Sequence, residues 1–485
     1  MKNKKLLLCI LDGFGIRNET YGNAAIKAKF IHELFNRYSN TYSQIQASEE
    51  YVGLPKGQFG NSEVGHMTIG AGRVIKQKID IINDAVSSRS IENSDVMINI
   101  RNTSNTIHVM GIFSSGGVHG HMDHIIWAVN YLRRIDKKFW LHLFLDGRDV
   151  SYNSAIDDIS KAINTCKIKP EEIATIQGRF YAMDRDNNMD RTSIAYEAIT
   201  KAIGNSTNDF ISAIQNSYNE NIYDEQVKPI VNTLYKGSSQ EDIFWMLNYR
   251  TDRIKQILSI LQNNNYKIIN MVNVTNKIDS NAQILFPEEP IKETLGEIIS
   301  KNNLKQLRVA ETEKYAHVTY FFNGGREEPF KGEDRTLIAS PKTTDYSTCP
   351  EMSCKQVKNA ILEAIQRDQY DIIIANFANP DMVGHTGMYD ATCDAITSID
   401  KCIEEIYNNL EDYSMIITAD HGNCEQMYTE DGEIHKSHTC NPVPFVFVGD
   451  DAYDFIWRDI KTLADIATAI LKYFDLQNPT TCLES

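Results

Sequence analysis

The strongest constraint on how this chain can fold is a succession of short, continuous apolar runs separated by stretches of helical period. The clearest runs lie at residues 6–11, 107–113, 139–145, 173–176, 243–247, 268–274, 371–377 and 415–418. Each is apolar throughout rather than alternating, the pattern of a strand covered on both faces. Between them, apolar side chains recur every three or four residues. In residues 389–410, Ile396, Ile399, Ile403, Ile406 and Leu410 form one stripe along a helix. Doubly buried strands alternating with amphipathic helices predict an α/β fold, with helices layered on mainly parallel sheets. At 485 residues the chain holds about two to three domains of roughly 150 residues each. Two segments read as linkers, Gly-Ala-Gly-Arg at 70–73 and the acidic Phe-Pro-Glu-Glu-Pro at 286–290. Together they predict an outer domain of residues 1–76 and 288–485, split by an inserted domain of residues 77–287.

Charge narrows the partners. Against 49 Lys and Arg stand 65 Asp and Glu, a formal net charge of −16. Nucleic acids and acidic membranes select a basic footprint, so neither is an expected partner. The run at 6–11 follows Lys2, Lys4 and Lys5 like a secretory signal, but Asp12-Gly13 ends it after six residues, too early for an apolar signal core. No stretch approaches the roughly 20 apolar residues of a membrane span. The nine cysteines are scattered without a Cys-x-x-Cys pair and read as reduced thiols, which points to the cytoplasm.

Three of the apolar runs end in chemistry-bearing residues. Residues 6–11 lead into Asp12-Gly13, residues 415–418 into Asp420-His421, and residues 371–377 into a loop with Asp381 and, four residues later, His385. Ligands of open α/β sheets bind beyond the carboxyl ends of strands, so these side chains are expected to converge. With His438 they make three carboxylates and three imidazoles, a donor set suited to Mn²⁺, Zn²⁺ or iron and large enough for two ions. Singly, each has an ordinary structural reading: Asp-Gly as a turn, a lone His as a hydrogen-bonded side chain, Asp381 as a helix cap. Ser62 stands among small residues where a helix can start, and is either an N-cap or a nucleophile activated by a metal. A second constellation follows the runs of the middle segment, with His121, Arg148, Asp149, Arg179, Arg185, Arg250 and Arg253. Arginines repeated at strand ends of an acidic protein suit bidentate binding of carboxylate and phosphate, or else pair with neighbouring Asp residues.

The chain closely resembles the cofactor-independent (2,3-bisphosphoglycerate-independent) phosphoglycerate mutases of the alkaline phosphatase superfamily. The matching stretches keep family order along nearly the whole sequence. They are LDGFG at 11–15, GNSEVGHMTIGAGR at 60–73, GGVHGH at 116–121, LDGRD at 145–149, QGRFYAMDRD at 177–186, ETEKYAHVTYFFNGG at 311–325, SPKTTDY at 340–346, PDMVGHTG at 380–387 and TADHGNCEQM at 418–427. The resemblance implies a phosphatase-like metal-binding domain split by an inserted transferase-like, substrate-binding domain. It implies Asp381, His385 and His438 around one Mn²⁺ and Asp12, Ser62, Asp420 and His421 around another, with Ser62 phosphorylated in turnover. It assigns substrate contacts to His121, Arg148, Asp149, Arg179, Arg185, Arg250, Arg253 and Lys314. The implied activity is the glycolytic and gluconeogenic interconversion of 3- and 2-phosphoglycerate by a monomer. Asp149, a carboxylate tunable in a closed, partly dry site, is the candidate general acid and base, and trapping of glycerate makes the linkers the expected hinges. Ser115, Asn188-Met189, Thr251 and Cys424 depart from the family pattern without removing any assigned residue. Two other readings stay open: a metal-dependent phosphohydrolase or other phosphomutase on the same core, and a metal-stabilised scaffold without catalysis.

Overall fold

The computed structural model describes residues 4–477. The chain divides into two compact units, residues 1–77 with 289–485, and residues 78–288. The first unit opens with strands β1 (Lys5–Leu11) and β2 (Ser43–Ile45). The second contributes β3 (Ile107–Ile112), β4 (Phe139–Leu145), β5 (Ile173–Gly178), β6 (Asn205–Thr207), β7 (Ile230–Asn232), β8 (Ile243–Met246), β9 (Lys267–Val272) and β10 (Ala282–Phe286). The chain then returns to the first unit with β11 (Gln306–Glu311), β12 (Glu333–Ile338), β13 (Ile372–Phe377), β14 (Tyr413–Thr418) and β15 (Val443–Val448).

The first unit is built on a seven-stranded sheet in the order β12-β11-β13-β1-β14-β15-β2. Its five strands from β12 to β14 run parallel, and β15 lies antiparallel to both β14 and β2. The central strand β1 is buried along its whole length, as the unbroken run Lys5–Leu11 requires. The helices Cys354–Arg367, Tyr389–Tyr407 and Leu463–Tyr473 bury apolar stripes in the same core, including Ile396, Ile399, Ile403 and Ile406. The second unit carries an eight-stranded sheet in the order β10-β9-β8-β3-β4-β5-β7-β6, parallel except that β7 runs against β5. The fold is thus the predicted α/β class, with two sheets that are mainly parallel.

Two expectations change. Gly70 and Ala71 are not linker but the last residues of the helix Ser62–Ala71, which Gly72 closes at φ +65°. A Cβ on Gly70 would overlap the Phe322 carbonyl, and one on Gly65 would come within 2.6 Å of the Asp420 carbonyl oxygen. These glycines allow close packing rather than bending. Strand β11 was not among the apolar runs because Arg308 sits in its middle. That guanidinium is fully buried, lies 4.5 Å from the Phe322 ring centroid and donates to Gln306 and Asn323. No described helix is long and apolar enough to cross a membrane.

Candidate active site

In the first unit the chemistry gathers beyond the carboxyl ends of parallel strands. Asp12 directly follows β1, and Asp420 and His421 follow β14. Asp381 lies in the helix Asn379–Gly384 after β13, with His385 closing that helix. Lys314 lies in the short helix Thr312–Ala316 after β11. Ser62 is the first residue of the helix Ser62–Ala71. Asn61 is the N-cap, accepting from the Val64 amide at 3.0 Å, so the Ser62 hydroxyl is not needed for capping. Instead Ser62 Oγ accepts from Lys314 Nζ at 2.7 Å, donates to Asp12 Oδ1 at 3.1 Å and lies 2.9 Å from His421 Nε2.

The electrostatics are severe. Asp12, Asp381 and Asp420 are buried, and Lys314 Nζ stands 2.7 Å from both Asp12 and Asp381. Burial pushes Asp12 up, and the Asp420 charge pushes the same way. Burial would also raise Asp381, but Lys314, His385 and His438 hold it well below the usual carboxylate range. Burial would lower Lys314, yet Asp12, Asp381 and Asp420 hold it above its ordinary value. One ammonium against three carboxylates leaves negative charge unbalanced, with Asp420 Oδ2 buried against the His66 and His421 imidazoles at 3.1 and 3.5 Å.

That imbalance fits divalent cations. His385 Nδ1 lies 2.7 Å from the Lys436 carbonyl and His438 Nδ1 lies 2.8 Å from the Gly60 carbonyl, so in the neutral rings both protons sit on Nδ1. The two bare Nε2 atoms are then 3.0 Å apart, at 3.2 and 3.1 Å from Asp381 Oδ1. Three lone-pair donors converging with no hydrogen between them suit a cation. Both imidazoles are shifted upward, His385 first through its bond to Asp381, and His438 through Asp381 despite its burial. Asp12 belongs to two further groups with metal-ligand geometry, one with Asp381 and His421, the other with His66 and Asp420.

Residues without a role in the sequence analysis hold this cluster in place. His66 Nδ1 lies 2.9 Å from the Ser62 carbonyl and 3.1 Å from Asp420 Oδ2, and its Nε2 lies 3.0 Å from Asn376 Nδ2. Asn376 Nδ2 also donates to Asp12 Oδ2 at 2.8 Å, and Asn423 Nδ2 to Asp381 Oδ1 at 2.9 Å. Asn376 had a signal, a lone amide inside an otherwise apolar strand, which burial tolerates only when the group is hydrogen-bonded.

The second unit collects its polar residues at the carboxyl ends of β3, β4, β5 and β8. Arg179 is 2% exposed, and its Nη1 bridges Asp146 Oδ1 at 2.5 Å and Asp149 Oδ2 at 2.6 Å while Nη2 donates to His119 Nε2 at 2.9 Å. It is therefore a buried clamp, unlike its neighbours. Arg185 and Arg250 reach Asp252 at 3.2 and 3.3 Å with about half of each side chain exposed, and Arg148 reaches Glu225 at 3.4 Å. Arg253 is pushed down by burial and by the charges of Arg179, Arg185 and Arg148. Such a crowd of guanidinium groups attracts anions. His121 caps the helix Met122–Arg134 by accepting from the Asp123 amide at 3.2 Å. His119 and Asp252, which the sequence analysis left without roles, tie these arginines together.

Comparison with known proteins agrees with this geometry. A family profile described as the Metalloenzyme superfamily matches residues 4–478. The chain is 41% identical to a 2,3-bisphosphoglycerate-independent phosphoglycerate mutase of Clostridium botulinum (strain ATCC 19397 / Type A), covering 99% of this chain and 98% of that protein. It is 42% identical to the protein of the same name from Anaplasma marginale (strain St. Maries), with the same coverage. Among solved structures it is similar to a phosphoglycerate mutase of Leishmania mexicana determined at low cobalt concentration. That match has a TM-score of 0.58 at 24% identity and covers 99% of this chain and 96% of that one, a likeness of fold.

Proposed function

This chain belongs to the 2,3-bisphosphoglycerate-independent phosphoglycerate mutases, within the Metalloenzyme superfamily, and from that premise we propose that it interconverts 3- and 2-phosphoglycerate through a phosphorylated Ser62. The observation that carries this reading is the Ser62 hydroxyl, released from capping by Asn61 and held between Lys314 and Asp12. A hydrolase or a scaffold on the same core has no use for the arginine cluster at the ends of β3, β4, β5 and β8. In our reading Asp381, His385 and His438 hold one divalent ion, and Asp12, Ser62, Asp420 and His421 another, with Mn²⁺ the best match to this donor set. When bound, these ions supply the positive charge that favours the serine alkoxide and offsets the charge of the phosphoryl oxygens.

The chain's own residues do the rest. Ser62 Oγ gives its proton to Asp12 Oδ1, the carboxylate it already donates to, and attacks phosphorus, while the bond from phosphorus to the glycerate oxygen breaks. Lys314 stays charged and holds the oxygens of the transferring group. Arg148, Arg185, Arg250 and Arg253 grip the carboxylate and phosphate of the substrate, with Arg179 fixing Asp149 and His119 beneath them. Asp149 returns a proton to the departing glycerate oxygen and removes one from the hydroxyl that next accepts the phosphoryl group. We read the enzyme as cytoplasmic and monomeric.

The test is to quench turnover and locate phosphate by mass spectrometry, beside assays of isomerisation and phosphate release with added Mn²⁺ and with chelator. Phosphate on Ser62 in the wild type, loss of isomerisation in Ser62→Ala with metal still bound, and loss on chelation are expected. Phosphate on another residue, or phosphate release without isomerisation, overturns the reading.

A further inference from the structure

The cavity over Ser62 has a volume of about 330 Å³ and is lined by Ser62, Asp381, His385 and His438, and also by a residue with no place in the scheme above, His317. His317 follows Lys314 by three residues and opens a π-helical turn, His317–Phe321, immediately after the helix that carries that lysine. Wide turns of this kind are rare and occur mostly at functional sites. The imidazole is fixed on two sides, stacked on Phe321 at 5.4 Å between centroids and tilted against His66 at 5.5 Å. Its Nδ1 is buried and has no hydrogen-bond partner.

The orphaned nitrogen determines the tautomer. A buried N–H without an acceptor loses its bond to water outright, whereas a bare ring nitrogen forfeits less, so the single proton of the neutral ring sits on Nε2. A charged ring would carry a proton on both nitrogens and strand the one on Nδ1, so the orphaned Nδ1 favours the neutral form as well. With Nδ1 shut away, Nε2–H is the polar atom that the ring offers to the cavity.

Building on the reading of Ser62 as nucleophile, we propose that His317 is a phosphoryl-binding residue whose Nε2–H donates to an oxygen of the group carried by Ser62. Beside Lys314 it adds direction without adding charge.

The test compares the metal-loaded His317→Phe and His317→Gln variants with wild type, using inorganic phosphate as the probe. Phe keeps the ring stacking on Phe321 and removes the donor, whereas the Gln side-chain amide returns an N–H near the Nε2 position. For His317→Phe the inhibition constant for phosphate and the KM for phosphoglycerate should rise about ten- to a hundredfold. Bound metal should be unchanged, and His317→Gln should recover most of the loss. Unchanged phosphate inhibition in His317→Phe overturns the proposal. So does equal damage in both variants, or a loss of metal that accounts for the change, because each marks a purely structural residue. Absence of phosphoserine in the wild type would defeat the nucleophile assignment instead, while the phosphate comparison still decides His317.

Discussion

Replacing Lys314 with methionine removes the ammonium from a cluster of buried carboxylates while keeping the length of the side chain. Lys314 Nζ lies 2.7 Å from Asp12, from Asp381 and from Ser62 Oγ. At an effective dielectric of about 20, each carboxylate pairing at 2.7 Å carries roughly 6 kcal/mol of gross Coulomb attraction. Desolvation of the ammonium offsets most of that, and deleting one partner of a buried ion pair typically costs about 3–5 kcal/mol. Lys314→Met should therefore unfold at lower urea in chelator, by about that free energy. Saturating Mn²⁺ should narrow the gap, because cations neutralise the same carboxylates. Isomerisation should stay depressed with metal present, by about 10²–10³-fold, the usual cost of removing one group that stabilises developing charge. Lys314→Arg should not rescue it, since a planar fork cannot occupy the point contact of an ammonium. Equal stability of the two proteins in chelator, together with isomerisation within a few fold of wild type, would refute the charge balance drawn for this site.

Two further outcomes concern the second unit. Arg179→Met leaves the Asp146 and Asp149 carboxylates facing each other without their cation, and urea unfolding should show a loss of about 3–5 kcal/mol; a loss under 1 kcal/mol would show that water replaces the clamp at little cost. Acid should weaken this unit too, because burial lowers His119 and His124 to about 4 from 6.5, with Arg179 helping at His119 and His121 at His124. The unfolded chain then binds more protons between those values, so the contribution is complete above about pH 6.5 and is lost as the pH falls toward about 4. Fluorescence of the packed pair Trp127 and Trp245 during urea unfolding at pH 7 and pH 5 would measure it, and a flat midpoint would count against it.

The parts of the site that were legible in the sequence are those that end a continuous apolar run. Asp12, Asp381, Asp420 and His421 stand where β1, β13 and β14 stop, and a buried parallel strand leaves a blunt boundary in the sequence. Lys314 has no such marker, because β11 reads Gln-Leu-Arg-Val-Ala-Glu and hides its burial behind Arg308. Only resemblance to a family gave Lys314 a role in advance. The brace of His66 and Asn376 was illegible for a different reason: its meaning lies in contacts between a helix and a strand more than 300 residues apart in sequence, which no local pattern encodes. Gly70 and Gly72 misled because glycine serves equally as hinge, as close-packing surface and as helix terminator.

The place of β1 at the centre of its sheet also sets a timetable for synthesis. Both of its hydrogen-bonding neighbours, β13 and β14, lie far downstream. At about 5–20 residues per second a ribosome needs on the order of 18–70 s to span the roughly 360 residues from Leu11 to Ile372. Throughout that interval an apolar strand waits with both edges bare, while residues 78–288, an uninterrupted stretch, emerge complete and free to fold. The insertion that gives the enzyme its arginines thus also lengthens the interval in which β1, an apolar strand, lacks both of its strand partners.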